Sequence, residues 1–319
     1  MSIANGRKSR AGRSKTSCLL LAAVCLFASA IMVVPGRTGE PRGSVDWVAG
    51  YVEGVGSGTA VPSGSRPVDR LKSVRVAEVM AQRALAETIH GVRVDGATRI
   101  SDAVKRYVLE SRVHGLVRGA RKVKEEVTWD GKTPFATVTL RVCLVQDIPE
   151  CRGSVTLMGI LPVEDRQEPS FVPAVYYEPG PGDEIHSPAA ARTEEREAAY
   201  DSSRPVTGLV LDLGTMRHER ELFPVVATFG EKEKLETVYS AKKVQPEVIR
   251  THGVARYADS VDQAKGNPRL GDNPLVVPVA EVTRENLLVV WTSGARAIRE
   301  TTRYGNDYLA EAKVVIAGR

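Results

Sequence analysis

The chain has 319 residues and a formal net charge of +5. The whole of this excess equals the charge of five basic residues near the start, Arg7, Lys8, Arg10, Arg13 and Lys15, so the rest of the chain is close to neutral. Nucleic-acid binding needs clustered Lys and Arg to replace condensed counterions. Because no comparable basic block follows, the charge distribution argues against a nucleic-acid partner.

The basic segment opens a pattern that is typical of a secretory signal peptide. An apolar run, Cys18 to Val34, follows it and contains the small-residue triplet Ala28-Ser29-Ala30, which predicts a signal peptide over residues 1–30. An uncleaved anchor reaching residue 34 is the alternative, although a membrane-spanning helix usually needs about 20 apolar residues. Lipidation of Cys25 is a third alternative, with Val24 standing where such sites normally have Gly, Ala or Ser. We therefore expect an exported protein, periplasmic or associated with the outer membrane.

Cysteine usage agrees with export. Cleavage after Ala30 would leave Cys143 and Cys151 as the cysteines of the mature chain, and in an oxidising compartment their spacing predicts a local disulfide. A redox pair normally has C-x-x-C spacing, and a metal site would need further ligands. The five histidines form no H-x-x-x-H or H-E-x-x-H arrangement. We therefore predict neither a metal site nor a cofactor.

The length remaining after the leader suggests two domains. Residues 163–205 are rich in Pro, Glu, Ala and Ser and lack strand or helix periodicity, which is typical of a disordered linker. The predicted domains are residues 45–162 and 206–319. Both are expected to be α+β, each a mainly antiparallel sheet with helices packed on one face.

In the first domain the pattern predicts a strand over Val45–Val55 and a helix over Val68–His90, whose apolar residues recur at spacings of three and four. A second helix is predicted over Ser101–Val117. Two strands joined by an Asp130-Gly131 turn follow, and the second alternates apolar and polar residues.

In the second domain the apolar segment GLVLDLG predicts a first strand. Hairpin-like segments follow at 224–229 and 235–239. Pro246 suits the first turn of a helix that continues, with a break, past Gly253 to about Ala264. Further strands are expected at 275–279, 287–291 and 313–317.

Two motifs resemble nucleotide-binding motifs, but the sequence around each of them does not fit nucleotide binding. Gly54-Val55-Gly56-Ser57-Gly58 resembles a phosphate loop, but Pro62 and Pro67 precede the helix, and glycines at a strand period of two indicate a close backbone approach instead. Asp212-Leu213-Gly214-Thr215 resembles a turn of actin-like and sugar-kinase ATPases, whose fold needs several phosphate loops. With no G-x-S-x-G serine and no Cys beside a His base, we predict that the protein is not an enzyme.

A turn-rich segment, residues 267–274, precedes the strand LVVPV. Its pattern indicates a shaped loop. Arg269 within it is a candidate contact for an anion, since a guanidinium binds carboxylate or phosphate in a bidentate manner.

The segment from Val45 to about Leu144 resembles the Lpp-twenty lipoprotein family, which includes outer-membrane proteins of flagellar assembly. The resemblance is carried by VDWVAGYVEGVGSG, by RVAEVMAQRALAETIHGVRVDG with the following Thr98, and by VHGLVRGA. It implies a bacterial envelope protein, often lipid-anchored, with a structural or assembly role. The second domain, through TGLVLDLG and NPRLGDNPLVV, resembles a companion domain of longer envelope proteins.

The leading hypothesis is therefore a non-catalytic exported envelope protein. It would act structurally or in assembly through contacts with envelope proteins or with a second copy, in a motility-related or outer-membrane setting. Membrane contact through an uncleaved or lipidated N-terminus is part of this hypothesis. The alternative is a periplasmic binding module for a glycan or a small anionic ligand that uses the loop near Arg269.

Overall fold

Two β-sheets organise the protein, which we describe from a computed structural model. The structure describes residues 41–96, 98–103, 107–162, 196–230, 234–303 and 307–318. The predicted leader, including Cys25, and most of the predicted linker, 163–195, lie outside the described residues. Among the helices that are described, none combines the length and the apolar composition needed to cross a membrane.

The first sheet has four antiparallel strands in the order β1-β2-β4-β3. They are β1 (Arg42–Asp46), β2 (Tyr51–Thr59), β3 (Arg121–Asp130) and β4 (Thr133–Cys143). Along β4 buried residues alternate with half-buried ones as far as Val142, which confirms the predicted alternation. The buried side chains face the helix layer, where α1 lies across β1, β2 and β4.

The helix layer consists of α1 (Arg66–Gly91), α2 (Ile100–Ala103) and α3 (Tyr107–Arg118), with the short α4 (Leu157–Ile160) beside α3. Helix α1 begins with Pro67 in its first turn, where a missing N–H costs nothing. It buries the small residues Ser73, Ala77, Ala81 and Ala84. These short side chains allow a close approach to the sheet.

The closest approach is between α1 and β2, at the glycines of the GVGSG motif. A Cβ added to Gly54, Gly56 or Gly58 would lie 2.5, 2.1 or 2.4 Å from backbone atoms of α1. Two residues of strand advance about 6.7 Å and four residues of helix about 6 Å, so successive glycines meet successive turns of α1. The predicted close backbone approach is confirmed.

The second sheet has seven strands in the order β7-β6-β10-β9-β5-β11-β8. The strands are β5 (Gly208–Asp212), β6 (Val226–Phe229), β7 (Leu235–Tyr239), β8 (Arg256–Ala258), β9 (Pro274–Val282), β10 (Leu288–Val290) and β11 (Val314–Ala317). The α+β class with two sheets is confirmed and is consistent with two small domains. The pairing differs from expectation, because β5 pairs in parallel with both β9 and β11, and β11 pairs in parallel with β8.

Burial on both faces explains the parallel pairing. Val210 and Val315 pack with Ala264 of α6 (Val261–Lys265), whereas their neighbours Leu209 and Val314 belong to the main core. Strands covered on both faces read as continuous apolar runs, and such runs are typical of parallel sheets. Helices α5 (Pro246–His252) and α7 (Thr292–Arg303) complete this half, with α7 against β6, β7 and β9.

The last part of the predicted linker is not a linker. Ala199 exchanges two backbone hydrogen bonds of 2.9 Å with Val276 of β9. The Asn273 side chain accepts from the N–H of Asp201 and donates to the carbonyls of Asp201, Arg204 and Pro205. These contacts hold residues 196–205 against the second sheet, so the linker boundary predicted at 205 is too late.

Candidate functional site

An open cleft of about 660 Å³ lies beside β8, one of the two edge strands of the second sheet. One wall comes from the turn between β1 and β2 and from the segment that follows β4. The other wall comes from the end of α5, the start of β8 and the 3₁₀ turn Pro268–Leu270. The cleft therefore lies where the loops of the first sheet meet the second sheet within the compact unit Gly39–Arg319.

Two arginine side chains and one histidine side chain surround one carboxylate in this cleft. The Asp147 carboxylate lies 2.9 Å from Nη1 of Arg256, 3.6 Å from Nδ1 of His252 and 3.9 Å from Nη1 of Arg269. The Asp147 side chain is 10% exposed, and those of Arg256 and Arg269 are 14% and 20% exposed. The two guanidinium groups exceed the one carboxylate by a full positive charge, before His252 is counted.

Backbone carbonyls fix both arginines. Arg256 donates from Nη2 to the carbonyl of Val48, 3.2 Å away, and Arg269 donates from Nη2 to the carbonyl of Glu311, 2.6 Å away. Among the described residues, Nε of Arg269 is buried without a hydrogen-bond partner. The two side chains are therefore held in place and keep donor capacity to spare, which is the arrangement that binds an anion with little ordering cost.

The disulfide positions Asp147. Cys143 and Cys151 are bonded as predicted, with a Cα–Cα distance of 5.9 Å, and Asp147 lies midway along the loop that they close. The N–H of Gln146 donates to the carbonyl of Thr251 at 2.8 Å, which joins this loop to α5. The cross-link thus holds one wall of the cleft.

Burial lowers the pKa of His252, and the positive charge of Arg269 acts in the same direction while Asp147 opposes both. Burial also lowers the pKa of Arg269. A bound anion would relieve both effects, because it stabilises the charged form of each group. An anion in this cleft would therefore be bound more strongly as pH falls through the pKa of His252.

Arg269, the predicted anion contact, lies in the cleft, whereas Asp212 of the DLGT motif does not line it. Asp212 accepts from the N–H of Gly214 at 2.9 Å and pairs with Arg196 at 3.3 Å, which explains the DLGT motif as a turn. No cluster of three or more His, Cys, Asp or Glu side chains suited to a metal occurs within the described ranges.

Asp147, His252 and Arg256 were not predicted as site residues from the sequence. The one available signal was their position at turns beside strands, since Asp147 follows β4 and Arg256 begins β8. Sequence spacing could not show that these residues meet.

A second polar cluster has buried side chains and lies beside Tyr257 of β8. His218 and Glu221 are 0% and 1% exposed, and Nε2 of His218 lies 3.9 Å from Oε1 of Glu221. The Tyr257 hydroxyl donates to the carbonyl of Glu221 and accepts from its N–H. Burial raises the pKa of Glu221 to about 8 and lowers that of His218 to about 4, so both groups are neutral between these values.

Comparison with known protein families gives a match over part of the chain. The matching family is described as the second domain of Treponema pallidum Tp0624, and the match covers residues 208–318. This segment contains every strand of the second sheet, and it includes Arg256 and Arg269 but not Asp147. No curated protein matches the chain.

The family match corrects the resemblance to the Lpp-twenty family, which is wrong. The structure explains the pattern that suggested it. The glycines of β2 and the alanines of α1 are required where a helix packs closely on a strand. Such a composition reports this packing and does not identify a family.

Proposed function

We propose that this chain is a non-catalytic exported protein of the bacterial envelope that binds an anionic group, a carboxylate or a phosphate, in the cleft beside β8. The observation that carries the proposal is the convergence of Arg256 and Arg269 on the single carboxylate of Asp147. A charged ligand is favoured over a neutral glycan because Tyr257, the aromatic residue of the lining, is 6% exposed and offers little surface for stacking on a sugar.

Calorimetric titration tests the binding. Glucuronate and inorganic phosphate serve as anionic probes, glucose serves as the neutral probe, and the titrations run at pH 5.5 and 7.5. We expect Arg269→Ala to weaken anion binding by about 10- to 100-fold, since a hydrogen bond to a charged group contributes about 1.5–3 kcal/mol. Arg269→Lys should recover part of the affinity, because it restores the charge without the planar fork.

Arg299→Ala is the matched control. Arg299 is 43% exposed on α7, pairs with Glu236 and does not line the cleft. Equal losses in the Arg269 and Arg299 variants would show a general charge effect and refute the proposal. Glucose binding as tight as glucuronate binding would also refute it.

Export is tested separately by intact-mass measurement of the protein fractionated from its native host. A mass beginning at Ile31 supports signal cleavage, and a lipid-bearing mass beginning at Cys25 supports anchoring. The structural or assembly role predicted from the sequence stays a prediction. Sedimentation measurements over a range of protein concentrations test its self-association component.

A further inference from the structure

Helix α1 has an outward face that is both apolar and basic. Four of its exposed residues are apolar, Val68, Leu71, Val76 and Val79, and they are 41%, 66%, 44% and 48% exposed. The core does not account for them, because α1 buries a different stripe against the sheet. A helix with one face in the protein core needs no second apolar face for folding.

The charges on this face have one sign. At 100° per residue, Lys72, Arg75 and Arg83 lie among the four apolar residues, and Glu78 and Glu87 fall at the two borders of the face. Arg75 and Arg83 are 70% and 69% exposed. Arg75 pairs with Glu78 and Arg83 pairs with Glu87, while Glu78 also pairs with Lys122, so the face and its borders together keep a net positive charge.

This composition selects among possible occupants. A second copy of the chain would bring the same cations face to face, which like-charge repulsion opposes. A bound peptide needs a groove for its side chains. The outward surface of a helix is convex, and short apolar side chains flanked by Lys and Arg on such a surface suit the headgroup region of a bilayer.

We propose that the outward face of α1, defined by Val68, Leu71, Lys72, Arg75, Val76, Val79 and Arg83, docks on the surface of an anionic lipid membrane. The apolar side chains enter the headgroup region and the cations contact lipid phosphates. This docking is independent of ligand binding in the cleft beside β8, and either can hold without the other.

Position-specific quenching tests the docking. An attached apolar leader would itself enter vesicles, so the readout must report the position of α1 in the full chain. Leu71→Trp places a fluorophore on the proposed face, and Val155→Trp is the matched control because Val155 is 67% exposed outside α1. The signal from the three natural tryptophans is subtracted using the unmodified chain.

With vesicles of phosphatidylglycerol and brominated phosphatidylcholine, we expect quenching and a blue shift for the tryptophan at position 71 and neither for the one at position 155. Vesicles of brominated phosphatidylcholine without phosphatidylglycerol should give much weaker quenching and a smaller blue shift. Lys72→Glu combined with Arg75→Glu should weaken binding to anionic vesicles by at least about fivefold for each lost cation. Arg299→Glu, a reversal outside α1, should leave vesicle binding within about twofold.

Equal quenching at positions 71 and 155, or none at position 71 with anionic vesicles, would overturn the proposal. Poly-glutamate is the competing probe. A blue shift at position 71 with poly-glutamate and none with anionic vesicles would assign the face to an acidic polypeptide and reject the lipid surface.

Discussion

Replacing Gly56 by alanine should push helix α1 away from the first sheet. The added Cβ would lie 2.1 Å from the backbone nitrogen of Ala81 and 2.3 Å from the carbonyl oxygen of Ala77. Ordinary contacts begin at about 3.4 Å. Because both obstacles are backbone atoms, no side-chain rotation relieves them, and α1 must move away from β2 by roughly 1 Å.

We expect this movement to lower the free energy of unfolding by about 3 kcal/mol, the upper end of the usual cost of overpacking a core. A typical domain has a total stability of about 5–15 kcal/mol. Urea unfolding followed by circular dichroism measures it. With an m-value of about 2 kcal/mol/M, the unfolding midpoint should fall by about 1.5 M at an unchanged slope.

Gly115→Ala is the control. Gly115 lies inside α3, and a Cβ added there meets nothing within 4 Å. Alanine should raise the free energy of unfolding by about 0.5–1 kcal/mol at this helical position. A loss below about 1 kcal/mol for Gly56→Ala, or equal effects of the two variants, would refute the packing argument.

Three further predictions concern the polar groups and the cross-link. Burial holds the pKa of Glu221 near 8, so the free energy of unfolding should fall by about 2 kcal/mol as pH rises from 6.5 to 8. Urea unfolding at these two pH values should show this fall in the native chain and none in Glu221→Gln. Below pH 6.5 the lowered pKa of His218 acts with the opposite sign, so the profile should flatten between about 4.5 and 6.5. Asp147→Ala should tighten glucuronate binding, because it removes the carboxylate that competes for Arg256 and Arg269. It should also lower the thermal midpoint, because the two arginines lose their acidic partner. Weaker glucuronate binding would show that the cluster has only a structural role. Replacing Cys143 and Cys151 by serine should cost about 2.5 kcal/mol in urea unfolding, and an unchanged midpoint would contradict this estimate.

Local patterns predicted local structure. The alternation along β4, the disulfide and the close approach at Gly54 to Gly58 each depend on residues close in sequence or on one strand period, and each is confirmed. The order of the second sheet was not predictable in this way. Its strands β5 and β11 are short apolar runs without alternation, β9 is a longer and mostly apolar run, and their partners lie far away along the chain.

The residues that form the cleft were also only partly predictable from local sequence patterns. Arg269 was singled out for its chemistry within a turn-rich loop, and it does lie in the cleft. Asp147 and Arg256 are far apart in sequence, and only the meeting of the two sheets' loops brings them to 2.9 Å. The family resemblance was wrong for a related reason, since glycine and alanine spacing follows from helix–strand contact in unrelated folds.

The position of β11 also has a kinetic consequence. Leu209 pairs with Val314, and β11 separates β5 from β8, so β8 cannot join the second sheet until β11, which follows it in the chain, has been synthesised. Closing such long loops costs chain entropy before the stabilising contacts form, which slows folding. A newly made chain would then remain unfolded for longer, and this delay would favour the export proposed above if it proceeds through a channel that accepts only unfolded polypeptide.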